Sequence, residues 1–129
     1  SLFDTGSGHV LLAFRSPEER EMMIAEHLRS TEKFAPPPDF FARLDQVRDR
    51  GYEMMASMQT AGVYNLSTPV RASDGNAIAA LTIPYIPLVN TPDAPDITRT
   101  IDLLQVTAAK LSQLAGFEPE QAKAVRAAS

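Results

Sequence analysis

The chain has 129 residues, of which 44% are hydrophobic and 22% charged, with a formal net charge of −4. These values predict one globular domain and no positively charged surface for nucleic acid. The absence of cysteine excludes disulfides, thiolate metal sites and a cysteine nucleophile. No apolar run suggests a membrane span or a signal peptide, so we expect a cytoplasmic protein without a membrane partner.

The chain opens with a glycine-rich segment, Asp4-Thr5-Gly6-Ser7-Gly8, followed by the apolar run VLLAF. This run predicts a helix after Gly8, with Thr5 or Ser7 as its N-cap. Asp-Thr-Gly-Ser is also the signature of aspartic proteases, in which two carboxylates share a proton and activate a water. In such proteases this signature lies in a loop between β-strands. The pattern that follows here is helical, which argues against a protease.

Two more helices are predicted before residue 52. Ser16 and Glu19 form a capping box that begins the second helix. Its apolar face comprises Met23, Ile24, His27 and Leu28. After the prolines at 36–38, Asp39 is expected to cap the third helix, and Gly51 to end it in a left-handed conformation. The apolar face of that helix comprises Phe40, Phe41, Leu44 and Val47.

Three strands are predicted next, over residues 52–58, 63–71 and 76–86. Asp74-Gly75 between the second and third is a strong hairpin-turn signal. A symmetric turn there would place Ser73 opposite Asn76. The same register sets Ser67 opposite Thr82 and Asn65 opposite Pro84.

Directly opposed residues of a hairpin point to the same face of the sheet. One face is therefore small and polar, and it either faces solvent or lines a pocket. It carries Asn65, Ser67, Pro69, Ala80, Thr82 and Pro84. The other face is expected to be the core. It carries Tyr64, Leu66, Val70, Leu81 and Ile83.

A last helix is predicted over residues 96–115, stopped by Gly116, and residues 117–129 are expected to form a flexible or weakly helical tail. The apolar stripe of the helix comprises Ile97, Ile101, Leu104, Ala108 and Leu111. The order of elements predicts an α/β (α+β) sandwich, a small antiparallel sheet flanked by helices. Its open sheet edge and this stripe predict self-association, at least as a dimer.

The two histidines are too far apart in sequence for an H-x-x-x-H metal pair. His9 is expected to face solvent from the first helix. His27 lies on the apolar stripe of the second helix and is expected to be a satisfied core histidine, with its ring nitrogens hydrogen-bonded. Met55 shares its strand face with Glu53, and methionine adapts to irregular or aromatic shapes.

Several segments together resemble the effector-binding domain of the IclR family of bacterial transcription regulators. Their order and spacing, over about residues 2–116, match the second half of that domain. They are Gly6-x-Gly8 leading into Leu-Leu-Ala-Phe, Val47–Tyr52, Gly62-Val63, Pro69-Val70, Asp74-Gly75 and Ala79–Thr82. The resemblance implies a GAF-like sandwich, with residues 1–116 as the C-terminal part of the domain and 117–129 as the tail.

The resemblance also implies an effector cavity. The positions that match its lining are Gly6, Ser7, Met55, Asn65, Thr82 and Pro84. A glycine-containing turn at a helix N-terminus presents backbone N–H groups that suit a ligand carboxylate. The family often has an acidic residue at the position of Met55, so the thioether indicates a more apolar effector. We therefore expect a small organic acid, including aromatic ones.

The resemblance to this family implies a homodimer or tetramer that has no cofactor or metal and no enzymatic activity. It would contact DNA only through a winged helix-turn-helix domain that is not part of these 129 residues. Two alternatives stay open. A small hydrolase could use Ser7 as nucleophile, which requires a base within hydrogen-bond reach. A dimerisation module without a ligand would have the polar sheet face packed or solvated, with no cavity.

Overall fold

The structure is a computed structural model that describes residues 1–31 and 35–119. Its elements follow the predicted order. They are α1 (Gly6–Ala13), α2 (Pro17–Thr31), α3 (Phe40–Arg50), β1 (Glu53–Ala56), β2 (Tyr64–Arg71), β3 (Ala77–Tyr85) and α4 (Ile97–Leu114). The predicted α+β class is therefore confirmed. No helix in the described ranges is long and apolar enough to cross a membrane. The predicted tail lies outside the described residues from 120 onward.

Most helix ends follow the local signals in the sequence. Thr5 caps α1, since its hydroxyl accepts a hydrogen bond from the Gly8 N–H at 3.0 Å. Gly51 ends α3 with φ +88°, and its N–H donates to the Val47 carbonyl at 2.8 Å. Asp39 occupies the N-cap position of α3 as predicted, but it lacks the expected capping geometry. Asp39 is itself left-handed (φ 62°) and its side chain makes no capping bond.

The sheet has three antiparallel strands in the order β1-β2-β3. Ser67 lies opposite Thr82 and Asn65 opposite Pro84, as predicted. The turn itself differs, because Ala72 rather than Ser73 is bonded to Asn76, which lengthens the turn by one residue. A one-residue β-bulge beside Val70 and Arg71 compensates for this longer turn. Two unpredicted irregularities therefore cancel and leave the predicted register in place.

Both faces of the sheet are covered. Helix α1 packs across the face that carries Ser67 and Thr82, with α3 behind it, and α4 packs on the opposite face, mainly against β2. The main hydrophobic core lies on the α1 side. Its buried members are Phe3, Val10, Leu12, Ala13, Phe14, Ile24, Phe40, Leu44, Val47 and Ala77.

The prediction that the other sheet face forms the core is therefore wrong in part. Leu66 is fully buried there and Val70 is buried, but Tyr64 is 39% exposed. Leu81 and Ile83 are half-buried. The reason is that α4 lies over β2 and leaves much of β3 uncovered.

The predicted stripe of α4 holds this helix on the sheet. Leu104 and Ala108 are buried. Ser112 reinforces the contact, because its hydroxyl accepts from the Arg71 N–H at 2.9 Å. The stripe that predicted self-association is thus largely used within the chain, and the oligomeric state stays a prediction. Beyond α4, the Phe117 ring contacts the Arg71 guanidinium, 4.4 Å from the ring centre.

The glycines of the opening segment allow α1 to approach its neighbours closely. A Cβ on Gly6 would lie 2.9 Å from the Ser67 hydroxyl oxygen. A Cβ on Gly8 would overlap the backbone of Leu2, with the Leu2 Cα at only 2.8 Å. Leu2 is partly buried and packs against the core. The Gly-x-Gly spacing is therefore a packing requirement of α1.

We predict that Gly8→Ala destabilises the protein by about 1–3 kcal/mol, the cost of overpacking a well-packed site. Helix propensity alone predicts the opposite sign, a gain of roughly 0.5–1 kcal/mol. Urea unfolding measures the difference. Gln46→Ala, at an exposed position of α3, is the control and should change stability little. A more stable Gly8→Ala protein would contradict the close approach.

Candidate functional site

A cleft of about 420 Å³ lies between the start of α1, the end of β1 and the polar face of the sheet. The structure brings five of the predicted site residues together there. They are Gly6, Ser7, Met55, Asn65 and Thr82. The sixth, Pro84, does not line the cleft. It lies on β3 opposite Asn65, and its side chain is exposed.

Three hydroxyl groups form a hydrogen-bonded chain across the cleft floor. The Thr82 hydroxyl lies 2.8 Å from the Ser7 hydroxyl and 2.8 Å from that of Ser67. Ser67 is fully buried, and the sequence placed it on this face without assigning it to the site. Because Ser7 is bonded to another neutral hydroxyl rather than to a base, its surroundings do not activate it as a nucleophile.

The N-terminus of α1 opens into the same cleft, where Gly6 and Ser7 are the first two helical residues. Their N–H groups have no acceptor four residues earlier within the helix. The helix dipole adds partial positive charge at this end. This end of α1 can therefore interact with an anion.

The cleft walls are unequal in polarity. Met55 and Met58 supply apolar surface, whereas Asn65 and Gln59 supply amide groups. Asp4 is the one charged side chain among the described lining residues, and it is exposed. The described lining includes no basic side chain, so the hydrogen-bond donors that it offers are backbone N–H groups, hydroxyls and amides.

Directly behind Gly6 lies a buried carboxylate that the sequence analysis did not single out. Glu53 is fully buried and accepts from donors on three elements. Arg43 donates to both of its oxygens at 2.9 and 2.7 Å, and Arg50 donates at 2.6 Å. The Met54 N–H donates at 2.9 Å, and His9 Nδ1 lies 2.8 Å away. These contacts join α1, α3 and β1 around one charge.

The surroundings of Glu53 favour its ionised form. Burial on its own raises the pKa of this carboxyl, but the hydrogen bonds from His9, Arg43 and the Met54 N–H outweigh burial and lower the pKa to about 2. A buried carboxylate of this kind stays charged because every donor is in place. Glu53 and Met55 are two positions apart on β1, so both side chains point to the sheet face that α1 covers. This spacing was the only hint in the sequence.

The expectation that His9 faces solvent is wrong. Its side chain is buried, with Nδ1 on Glu53 and Nε2 2.7 Å from the Phe3 carbonyl oxygen. Burial lowers the pKa of His9. The two hydrogen bonds raise this pKa by more than burial lowers it, so the net shift is upward. His27 packs edge-on against the Phe3 ring, with 4.7 Å between centroids. The expectation of a satisfied core histidine is wrong in part, because His27 is half-buried and its Nε2 has no hydrogen-bond partner.

Comparison with known proteins identifies the family of this chain. The family profile described as "Bacterial transcriptional regulator IclR C-terminal" matches residues 1–113. The chain belongs to the IclR family. IclR proteins are transcription regulators rather than enzymes, so the predictions of family and of a non-enzymatic role are confirmed.

Individual relatives agree with this assignment. The HTH-type transcriptional regulator KdgR of Escherichia coli is 30% identical over 119 residues, which cover 90% of this chain and 44% of KdgR. The crystal structure of the KdgR C-terminal domain matches with a TM-score of 0.68 and 29% identity, over 90% of this chain and 71% of that one. The chain thus spans less than half the length of the curated relative.

A second similar structure contains a small molecule. It is a double mutant of the inducer-binding domain of PobR from Acinetobacter, in complex with 3-hydroxybenzoic acid. It matches with a TM-score of 0.60 and 24% identity, over 88% of this chain and 66% of that one. At this identity the likeness shows a common IclR effector-domain fold.

We predict that Glu53→Gln destabilises the protein by about 3–5 kcal/mol, because the buried His9 ring and the partly exposed Arg43 and Arg50 guanidinium groups lose the carboxylate that they share. The wild-type chain should also lose this stabilisation as the pH falls from the ordinary range of a glutamate toward about 2, where Glu53 itself becomes protonated. Urea unfolding measured over this acidic range should show a weaker pH dependence in the variant.

The matched control is Glu26→Gln, which removes the carboxylate of the exposed Glu26–Arg29 pair. An exposed pair contributes roughly 0–1 kcal/mol, so this change should have little effect. Equal losses in the two variants would show that the Glu53 cluster is not a major source of stability.

Proposed function

We propose that this IclR-family domain senses a small monocarboxylic acid bound in the cleft beside α1. One observation carries the proposal: the start of α1 and the adjoining Ser7–Thr82–Ser67 hydroxyl chain line the same cleft of about 420 Å³. This volume is within the range of small-molecule sites, roughly 300–1,000 Å³. The PobR domain complexed with 3-hydroxybenzoic acid supports the same class of ligand.

The polar end of the cleft favours a single carboxylate. The free N–H groups at the start of α1 and the Asn65 amide can donate to it, and Ser7 can donate from its hydroxyl. Asp4 at the rim disfavours a second negative charge on the ligand. We therefore favour monoacids over dicarboxylates.

The rest of the ligand would contact the methionine side of the cleft. Met55 is half-buried and Met58 is 90% exposed at the rim. Methionine side chains adapt to aromatic and irregular apolar groups and make favourable sulfur–aromatic contacts. An aromatic or similarly apolar acid suits this wall better than a polyhydroxylated sugar acid does.

In a complete regulator, acid binding would bias the arrangement of subunits and of DNA-binding domains that lie outside these residues. We propose a homodimer or tetramer in the cytoplasm for that protein. A ligand-free dimerisation module is the second candidate, and the large apolar side chains exposed on α4 favour it. They are Leu103, Val106 and Leu114.

A thermal-shift panel tests the proposed ligand class. 3-Hydroxybenzoate and other aromatic monoacids should raise the melting temperature, whereas dicarboxylates and sugar acids should not. At a hundredfold excess over the dissociation constant, binding to the folded state stabilises by about 2.7 kcal/mol. If no acid in the panel changes the melting temperature, the dimerisation module becomes the better hypothesis.

Three variants locate the site, with affinity measured by calorimetry for the acid found in the panel. Ser7→Leu should abolish binding by filling the space at the start of α1. Asn65→Ala and Thr82→Val should each weaken binding by about 1–3 kcal/mol, roughly five- to 150-fold. Thr82→Val also deprives the buried Ser67 hydroxyl of its partner, so its stability must be measured in parallel.

The control for these variants is Thr98→Ala, at an exposed position of α4 on the other side of the sheet. It should bind the acid as tightly as the parent. If Ser7→Leu, Asn65→Ala and Thr82→Val all bind like this control, the ligand site lies elsewhere.

A further inference from the structure

Both ring nitrogens of His9 face groups that can only accept a hydrogen bond. Nε2 lies 2.7 Å from the Phe3 carbonyl oxygen, and Nδ1 lies 2.8 Å from a carboxylate oxygen of Glu53. Glu53 is ionised, since Arg43 and Arg50 donate to it as well. A neutral imidazole has only one N–H and cannot satisfy two acceptors. The geometry therefore requires the doubly protonated imidazolium.

The Phe3 carbonyl belongs to the segment that forms one wall of the cleft. Ser1, Asp4 and Thr5 of this segment line it. The segment has further attachments on both sides of the carbonyl, because the Phe3 ring is buried and the Thr5 hydroxyl donates to the Ser1 carbonyl at 2.7 Å. His9 is the side chain that ties the backbone of this wall to the Glu53 cluster.

Loss of one proton from His9 would turn the attraction between Nε2 and the Phe3 carbonyl oxygen into a repulsion. The Glu53 carboxylate attracts the remaining proton to Nδ1, so a neutral His9 would turn the lone pair of Nε2 toward the Phe3 oxygen. Two acceptors at 2.7 Å repel each other, and a buried carbonyl without a donor is costly. The wall would then move away from the ring.

We propose that His9 is a positioning residue of the cleft, which holds the wall formed by residues 1–5 only while its imidazole carries both protons. The consequence for ligand affinity rests on the proposed function: acid binding should weaken as His9 loses its second proton. The contact of His9 with the wall is made without a ligand.

The charged groups around His9 determine the direction of its pH dependence. Glu53 faces it from β1, Arg43 and Arg50 lie beyond Glu53 on α3, and His27 of α2 contacts the far side of Phe3. The pKa of His9 is raised overall. Its stabilising contribution is therefore complete below the pKa of an unfolded histidine. It is lost as the pH rises through the higher pKa of the folded state.

Nitrogen-15 NMR of the ligand-free chain tests the proposal. The chain has two histidines, so His27→Gln leaves the His9 ring as the single imidazole signal. At neutral pH both His9 nitrogens should show the shifts of protonated ring nitrogens. As the pH is raised, the Asp4 amide, which shares its peptide group with the Phe3 carbonyl, should shift with the same midpoint as the ring.

The variant His9→Lys separates positioning from a merely structural role. A lysine keeps its charge to a higher pH than histidine, so the alkaline shift of the Asp4 amide should disappear over the range in which wild-type His9 titrates. A neutral His9 ring at neutral pH, or an Asp4 amide that titrates identically in the lysine variant, would overturn the proposal.

The acid found in the panel provides a second measurement. Its dissociation constant should rise with the His9 midpoint in the wild-type chain and stay constant over that range in His9→Lys. An affinity that does not follow the His9 midpoint would overturn the coupling to the ligand. If no acid binds, the proposed function fails, while the ligand-free NMR titration still decides the role of His9.

Discussion

The ionised Glu53 carboxylate at the centre of the domain is the constraint on which the site depends. A charge that is fully withdrawn from water persists only when its hydrogen-bonding capacity is filled, and removal of a donor leaves part of that capacity unfilled. Arg43 and Arg50 come from α3, and His9 comes from α1. The carboxylate on β1 therefore fixes how two helices meet the sheet, and so fixes the position of α1 at the cleft.

The glycine-rich opening segment follows from the same arrangement. Helix α1 lies so close to the sheet that a Cβ on Gly6 would contact both Ser67 and the Glu53 side chain, the latter at 3.4 Å. Gly8 is packed equally tightly against Leu2 on the other side. The resemblance of Asp-Thr-Gly-Ser to a protease signature is incidental, because the glycines here allow packing and the threonine caps a helix.

Local features of this fold could be predicted from the sequence, and the buried charge network could not. The Thr5 cap and the Gly51 helix end depend on residues a few positions apart. The hairpin register placed Asn65, Ser67 and Thr82 on one face. The partners of Glu53 gave no such signal: a buried glutamate looks like a solvent-exposed one until its tertiary donors are known, and His9 lies 44 residues away.

This network also bears on how a cleft without a lining basic side chain can attract an acid. A lone carboxylate behind Gly6 would repel a bound anion, and low polarity would strengthen that repulsion. Glu53, however, is surrounded by Arg43, Arg50 and the imidazolium that the His9 geometry requires, so the cluster as a whole is positive. Its field adds to the N-terminal dipole of α1, which points into the same cleft. For the proposed ligand, the positive charge that would favour its carboxylate thus lies behind the cleft wall, where it also stabilises the fold.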